Sequence, residues 1–213
     1  MPPVGHILVR ATLLDRVRAG EQEASEYLVG EVGDFLRELT ADGHYARAEM
    51  PAAACLSAAM NRYAGEVSNG GHWQFAGNTG WAPDIVAACG AGLRALATTA
   101  FAEPFERFVA FVEANPAALE QMHAQTGYDT QGAIVHEIDE AFFTAGGAAA
   151  LTAANAAWLC GLPELQPVPD AALPGEMQRL RAANPDAEAR RADRLAAIVA
   201  AHRANGHFLV AQA

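Results

Sequence analysis

Apolar side chains in this chain recur at three- and four-residue steps almost everywhere and alternate at two-residue steps almost nowhere. That period turns one face of a helix toward a core and leaves the other to solvent, which constrains the chain to an all-α fold. From Glu21 to Asp42 the apolar stripe is Ala24, Leu28, Val32, Phe35, Leu36 and Leu39, while Glu23, Glu26, Asp34 and Glu38 fall mostly opposite. Gly30 and Gly33 inside that helix cost roughly 1 kcal/mol each relative to Ala, which suggests the close approach of another backbone.

A second helix is expected over Ala52 to Val67, closing at Asn69-Gly70-Gly71, where glycine supplies the left-handed conformation of a C-cap. Pro83 suits the first turn of a buried helix reaching from Ile85 to Phe101. Phe105, Phe108, Val109 and Val112 then share a face until Asn115-Pro116. Gln131 to Ala145 reads as a helix with Ile134, Ile138, Ala141 and Phe142 inward and Glu137 and Glu140 outward; Ala148 to Cys160 is a further apolar one.

Residues 1–165 therefore read as a single helical domain, a multi-helix globular bundle with a glycine-rich helix-loop-helix at 66–80. Pro163, Pro167, Pro169 and Pro174 mark a semi-extended linker over 163–174. Residues 175–213 read as a helical extension docked on the core: a short polar helix, then a longer one opened by Asp186 and closed near Gly206. In the longer helix Leu195, Ile198, Val199 and His202 form the expected docking stripe, with Arg190, Arg191 and Arg194 outward.

The net charge of −11 is unevenly spread. Residues 1–50 hold nine carboxylates against five arginines, and residues 101–140 hold eight against Arg107 alone. Such a field repels nucleic acid, so direct nucleic-acid binding is not expected, and it favours basic partners. A solvated, solubility-promoting surface is the plainer reading of the same charges. All 14 cations are Arg, each a planar fork suited to bidentate pairing.

Cys55, Cys89 and Cys160 lie far apart in apolar contexts and read as reduced core residues. The apolar run His6 to Val9 is too short for a signal peptide, and no segment approaches membrane-spanning length. A cytoplasmic protein without a membrane partner is the expectation.

No catalytic, cofactor or metal constellation emerges. His136 and Glu140 sit four apart, as metal-binding pairs do, but no second His or third ligand accompanies them, so an exposed acidic helix is the better reading. The other histidines, His6, His44, His72, His123, His202 and His207, lack ligand spacing. Ser57 and Ser68 lack a nucleophile elbow. Cys89 in "AACGAG" resembles a helix-packing site more than an activated thiol, and Gly90 and Gly92 complete no dinucleotide fingerprint.

The most polar stretch is "EVSNGGHWQFAGNTG", from Glu66 to Gly80. Gln74 and Asn78, four apart, can share a helical face, and side-chain amides suit the satisfaction of orphan backbone groups at a bend. Glu66 lies near a helix C-terminus, where the dipole disfavours a carboxylate, so it calls for a partner such as a backbone amide or Arg62. The alternative is a small-molecule-binding or hydrolytic pocket lined by Glu66, Asn69, His72, Gln74 and Asn78.

The same stretch resembles the motif of the DNA-mimic protein 19 family, at Glu66, Val67, Asn69, Gly70, Gly71, Gln74, Phe75, Asn78 and Gly80. "IVAACGAGLRAL" and "AIVHEIDEAFF" echo two later family segments, and the likeness spans roughly residues 50–165. His72 stands where the family usually carries an aromatic. The resemblance implies an all-α fold, often dimeric, with no catalytic residue to transfer. It also implies DNA mimicry, in which surface carboxylates imitate phosphates and occupy a basic, DNA-binding protein. The candidate carboxylates are Glu23, Glu26, Asp34, Glu38, Glu106, Glu113, Glu120, Glu137 and Glu140, since helix neighbours three or four apart lie about 5–6 Å from each other.

Overall fold

A computed structural model describes residues 4–124 and 132–204. Gln131, the expected start of one helix, Gly206, the expected end of another, and His207 lie outside the described residues. Strand β1 (Ile7–Arg10) runs directly into α1 (Ala11–Arg18), followed by α2 (Gln22–Ala41). A 3-10 turn at Arg47–Glu49 leads into α3 (Ala52–Thr79), α4 (Pro83–Ala95), α5 (Ala102–Ala114), α6 (Pro116–Ala124) and α7 (Ala133–Thr144). Then come α8 (Gly147–Cys160), strand β2 (Leu165–Val168), α9 (Leu173–Ala182) and α10 (Ala187–Ala204). The fold is an all-α, multi-helix bundle to which the strands add one small parallel pair.

The strands pair with Ile7 opposite Leu165 and Val9 opposite Pro167, so part of the proline-rich stretch is sheet. Pro167 has no N–H to donate, which a two-stranded sheet tolerates because both of its strands are edges. Ile7, Leu8 and Val9 are all buried, with α1, α2 and α9 packed against their strand. A strand covered in this way shows no polar alternation, and its periodicity is invisible in sequence.

Helix α3 is the axis of the molecule. It packs against α2, α4, α6, α7 and α8. Its first residues, Ala53 and Ala54, join a cluster with Ile7, Leu28, Phe35 and Leu159. Its middle, Met60, Tyr63 and Val67, joins Leu93, Phe105, Phe142 and Leu151. Beyond the motif, Trp73 and Ala76 pack with Phe108, Val112, Val135 and Ile138. Tyr63 stands edge-on to Phe75, Phe105 and Phe142 at centroid distances of 5.3, 5.3 and 5.6 Å. Each such pair is worth about 0.5–1.5 kcal/mol beyond area burial. A Cβ on Gly92 would stand 2.8 Å from Met60 Cγ, so that glycine permits the close approach of α4 to α3.

Four local expectations are corrected. Gly30 and Gly33 have no atom within 4 Å of an added Cβ, so no backbone crosses α2 there. Helix α4 ends at Ala95 rather than reaching Phe101. Beyond it the Thr98 hydroxyl accepts the Ala100 N–H and Thr99 donates to Glu103, local bonds that compete with helix. On α7 the inward stripe is Val135, Ile138, Asp139 and Phe142, and Ile134 is exposed. On α10 Leu195, Ile198 and Val199 of the stripe are exposed, and a contact with the segment between α2 and α3 is made by Arg190, which was expected to face outward. Its guanidinium bonds both Glu49 carboxylate oxygens, at 2.5 and 3.0 Å, and the His44 carbonyl at 3.1 Å. Among the described residues no helix is long and apolar enough to cross a membrane.

Candidate functional site

The expected helix-loop-helix over 66–80 is a single 28-residue helix broken at two residues, Gly70 (φ −164°, ψ 29°) and Gly71 (φ 73°, ψ −176°). Only glycine adopts the Gly71 conformation cheaply, and a Cβ there would lie 2.5 Å from Asp139 Oδ2. Because the break starts a new helical segment, the His72 N–H has no carbonyl one turn back to bond. It donates instead to Asp139 Oδ1 of α7, at 2.9 Å. Asp139 thus acts as an N-cap delivered from another helix, its charge at the positive end of the segment.

The His72 ring completes the arrangement. Its Nδ1 lies 2.6 Å from the same Asp139 Oδ1, and its Nε2 lies 2.7 Å from the Tyr63 hydroxyl. In the tautomer protonated on Nδ1, the ring donates to the carboxylate and accepts the phenol proton. His72 and Tyr63 are fully buried. Burial, with the charge of Asp139 adding to it, pushes the Tyr63 phenol well above its usual range. Three helical segments, α3 before the break, α3 after it and α7, are thereby joined through one satisfied polar chain inside an aromatic cluster.

A second cluster laces the break from outside. Glu66 Oε2 accepts Gln74 Nε2 at 3.0 Å and Asn78 Nδ2 at 2.7 Å. Arg62, expected as a partner for Glu66, donates to the Asn78 carbonyl at 2.7 Å. It serves one of the terminal carbonyls that a helix end leaves unpaired. Gly80 closes α3 in the left-handed region. Of the other motif residues, Val67 and Phe75 are fully buried, whereas Asn69 is exposed.

An open cleft of about 460 Å³ lies over the break. Asn69, Gly70, Gly71 and Gln74 form one wall, with Asp139, Glu140 and Phe143 of α7 opposite. His136 also lines it and pairs with Glu140 at 3.3 Å on the exposed surface. Glu66, His72 and Asn78, expected to line a pocket together with Asn69 and Gln74, do not contribute to its wall. The cleft offers two carboxylates, Asp139 and Glu140, beside groups that both donate and accept, the Ser68 hydroxyl, the Asn69 amide and the His136 ring. Among the described residues no cluster of three or more His, Cys, Asp or Glu is placed to hold a metal. Burial raises all three thiols, Cys89 most strongly, and none forms a disulfide.

His72 and Asp139 were not separable from their neighbours by motif or ligand spacing. Two signals could have found them: a side chain placed directly after Gly-Gly, and a carboxylate three residues before Phe142 on the buried stripe.

The candidate surface carboxylates fall in two regions. On α2, Glu23 and Glu26 are exposed, Asp34 pairs with Arg37, and Glu38 lies 3.5 Å from Arg181. The other region is built by α5, α6 and α7. There Glu106 pairs with Arg94 at 3.1 Å and Glu137 with Arg107 at 3.7 Å, while Glu113 and Glu120 are exposed and form no ion pair among the described residues. Helix α2 packs on α1, α3, α8 and α9, whereas α5 packs on α4, α6 and α7, so the two regions belong to different parts of the bundle.

A protein-family model described as DMP19-like protein matches residues 48–161, the stretch from the 3-10 turn to the end of α8. It takes in the broken helix, the cleft and the α5–α7 region. No curated protein and no solved structure matches the chain.

Proposed function

The chain belongs to the DMP19-like protein family, and from that premise we propose that it binds a basic protein, of the kind that itself binds DNA, through its carboxylate-rich helices. The observation that carries the reading is the α5–α7 region. Residues 101–140 supply eight carboxylates and one arginine, and that arginine is engaged by Glu137. Glu106, Glu113, Glu137 and Glu140 stand on exposed helical faces. Carboxylates one helical turn apart fall about 5–6 Å from each other, a separation close to that of successive phosphates along a DNA strand. Rigid helices fix the backbone positions of these residues before binding, so only their side chains remain to be ordered.

The test is capture of partners from native lysate at low and high salt, followed by affinity measurement with the isolated partner. Affinity should fall steeply with salt, as for any interface built on charge. Reversing Glu106, Glu113, Glu137 and Glu140 to Arg should abolish it. Salt-insensitive binding, or binding that survives the four reversals, rejects the reading.

A further inference from the structure

Away from the broken segment, a separate cavity of about 310 Å³ opens between α2, the 3-10 turn, α3 and α4. That volume lies within the range of small-ligand pockets. Its surface is mostly apolar, built by Leu36, Met50, Ala59 and Ile85. The lining residues that carry polar groups are Thr40, Cys55, Arg47 and Arg62.

The charge of this lining runs against that of the molecule. The chain has 25 carboxylates and 14 arginines, yet two arginines and no carboxylate line this cavity. Arg62 forms no ion pair among the described residues. One of its nitrogens donates to the Asn78 carbonyl, and the rest of the fork is left for another acceptor. Arg47 stands 3.6 Å from Asp84, an exposed pair that contributes little. The Arg47 charge also opposes the rise that burial imposes on the half-buried Cys55 thiol, and both residues line the cavity.

We infer that this cavity binds a small amphipathic carboxylate, with an aliphatic or aryl tail on the Leu36, Met50 and Ile85 surface and its carboxylate held by Arg47 and Arg62. Guanidinium forks match carboxylate geometry, and hydrogen bonds between the two are stronger than neutral ones. The space corresponds to about ten water molecules' share of liquid volume, which suits a ligand of about that many non-hydrogen atoms. Octanoate is the probe of that size. The inference stands apart from partner binding, because its residues face the opposite charge.

Cys55 supplies the readout and Cys160, also partly buried, the internal control. Iodoacetamide labelling of both thiols is followed by mass spectrometry with octanoate, octan-1-ol or acetate present. Octanoate should slow labelling of Cys55 saturably and leave Cys160 unchanged, with acetate inert. The half-protecting concentration should rise about tenfold for octan-1-ol and again for Arg62→Gln or Arg47→Gln, the loss expected for a charged hydrogen-bond partner. Ala58→Met, which fills the cavity with both arginines intact, should remove the protection. Equal protection by octan-1-ol and octanoate, equal slowing of both cysteines, or protection unchanged in both arginine variants overturns the inference.

Discussion

His72 Nδ1 lies 2.6 Å from Asp139 Oδ1 across 67 residues of chain, and both side chains are buried. The same carboxylate oxygen takes the His72 backbone N–H at 2.9 Å. One acceptor therefore caps a helical segment and orients the ring that follows the break, and it fixes α7 against both halves of α3.

Replacing Asp139 by Ala should destabilise the protein by about 3 kcal/mol, since it removes a cap and strands two buried donors. Asp139→Asn keeps a carbonyl acceptor and should cost about 1–2 kcal/mol. Urea unfolding measures both. An Ala variant within about 0.5 kcal/mol of the parent would show that the contact contributes no more than a surface one.

Tyr63→Phe should cost about 1–2 kcal/mol at neutral pH by leaving His72 Nε2 without its donor. Its alkaline behaviour has the opposite sense. A phenol raised in the folded state from its ordinary value of 10.0 contributes fully below that value, and the contribution is lost as pH rises above it. The Phe variant should therefore lose stability less steeply above pH 10. Some slope remains from Tyr45 and Cys89, which burial shifts in the same direction. Parallel stability curves for the two proteins in that range would refute the assignment.

Three glycine-to-alanine substitutions should separate by context. Gly71→Ala meets a φ of 73° and Asp139 Oδ2 at 2.5 Å, and should cost about 3 kcal/mol. Gly70→Ala meets the Gln74 side chain, whose amide end can move at the expense of the Glu66 hydrogen bond and whose Cβ stands 3.1 Å away, and should cost about 1 kcal/mol. Gly30→Ala, in the open interior of α2, should stabilise by about 0.5–1 kcal/mol. Thermal melts rank the three, and a different order would contradict the geometry of the break.

The Glu49–Arg190 contact should make the seating of α10 pH-dependent. The Arg190 guanidinium first, and the Ala46 N–H second, hold the Glu49 carboxyl at about 2 against an ordinary 4.5. A folded value below the unfolded one gives stability that is present above 4.5 and lost as pH falls toward 2. Hydrogen exchange of α10, corrected for the intrinsic rate, should accelerate through that window in the parent and be fast throughout in Glu49→Gln. Exchange protection of α10 equal in the two proteins at neutral pH would exclude the contact as its anchor.

Helix positions were legible where one residue in three or four is apolar, as in α2 and α5, because that period needs no knowledge of a partner. Element ends were less so. The Asn-Gly-Gly sequence announced a left-handed glycine within 69–71, which the structure places at Gly71, but a capped helix and a broken one require the same residues. Ile134 and Val135 are equally apolar, and the face of α7 that turns inward is set by where Asp139 must reach. The Arg62, Glu66, Gln74 and Asn78 spacings made a polar bend readable, and the identity of each acceptor was not.

The sequence by itself determined the all-α class, the acidic segments and the membership carried by Glu66 to Gly80, since each rests on composition or on neighbours within one turn. Tertiary structure decided the β1–β2 pairing, the exposure of the α10 stripe, and the burial of His72 between Tyr63 and Asp139. Those depend on which distant segments meet. A buried histidine and an exposed one have the same local sequence requirements, and only packing from α5 and α7 removes the water that distinguishes them.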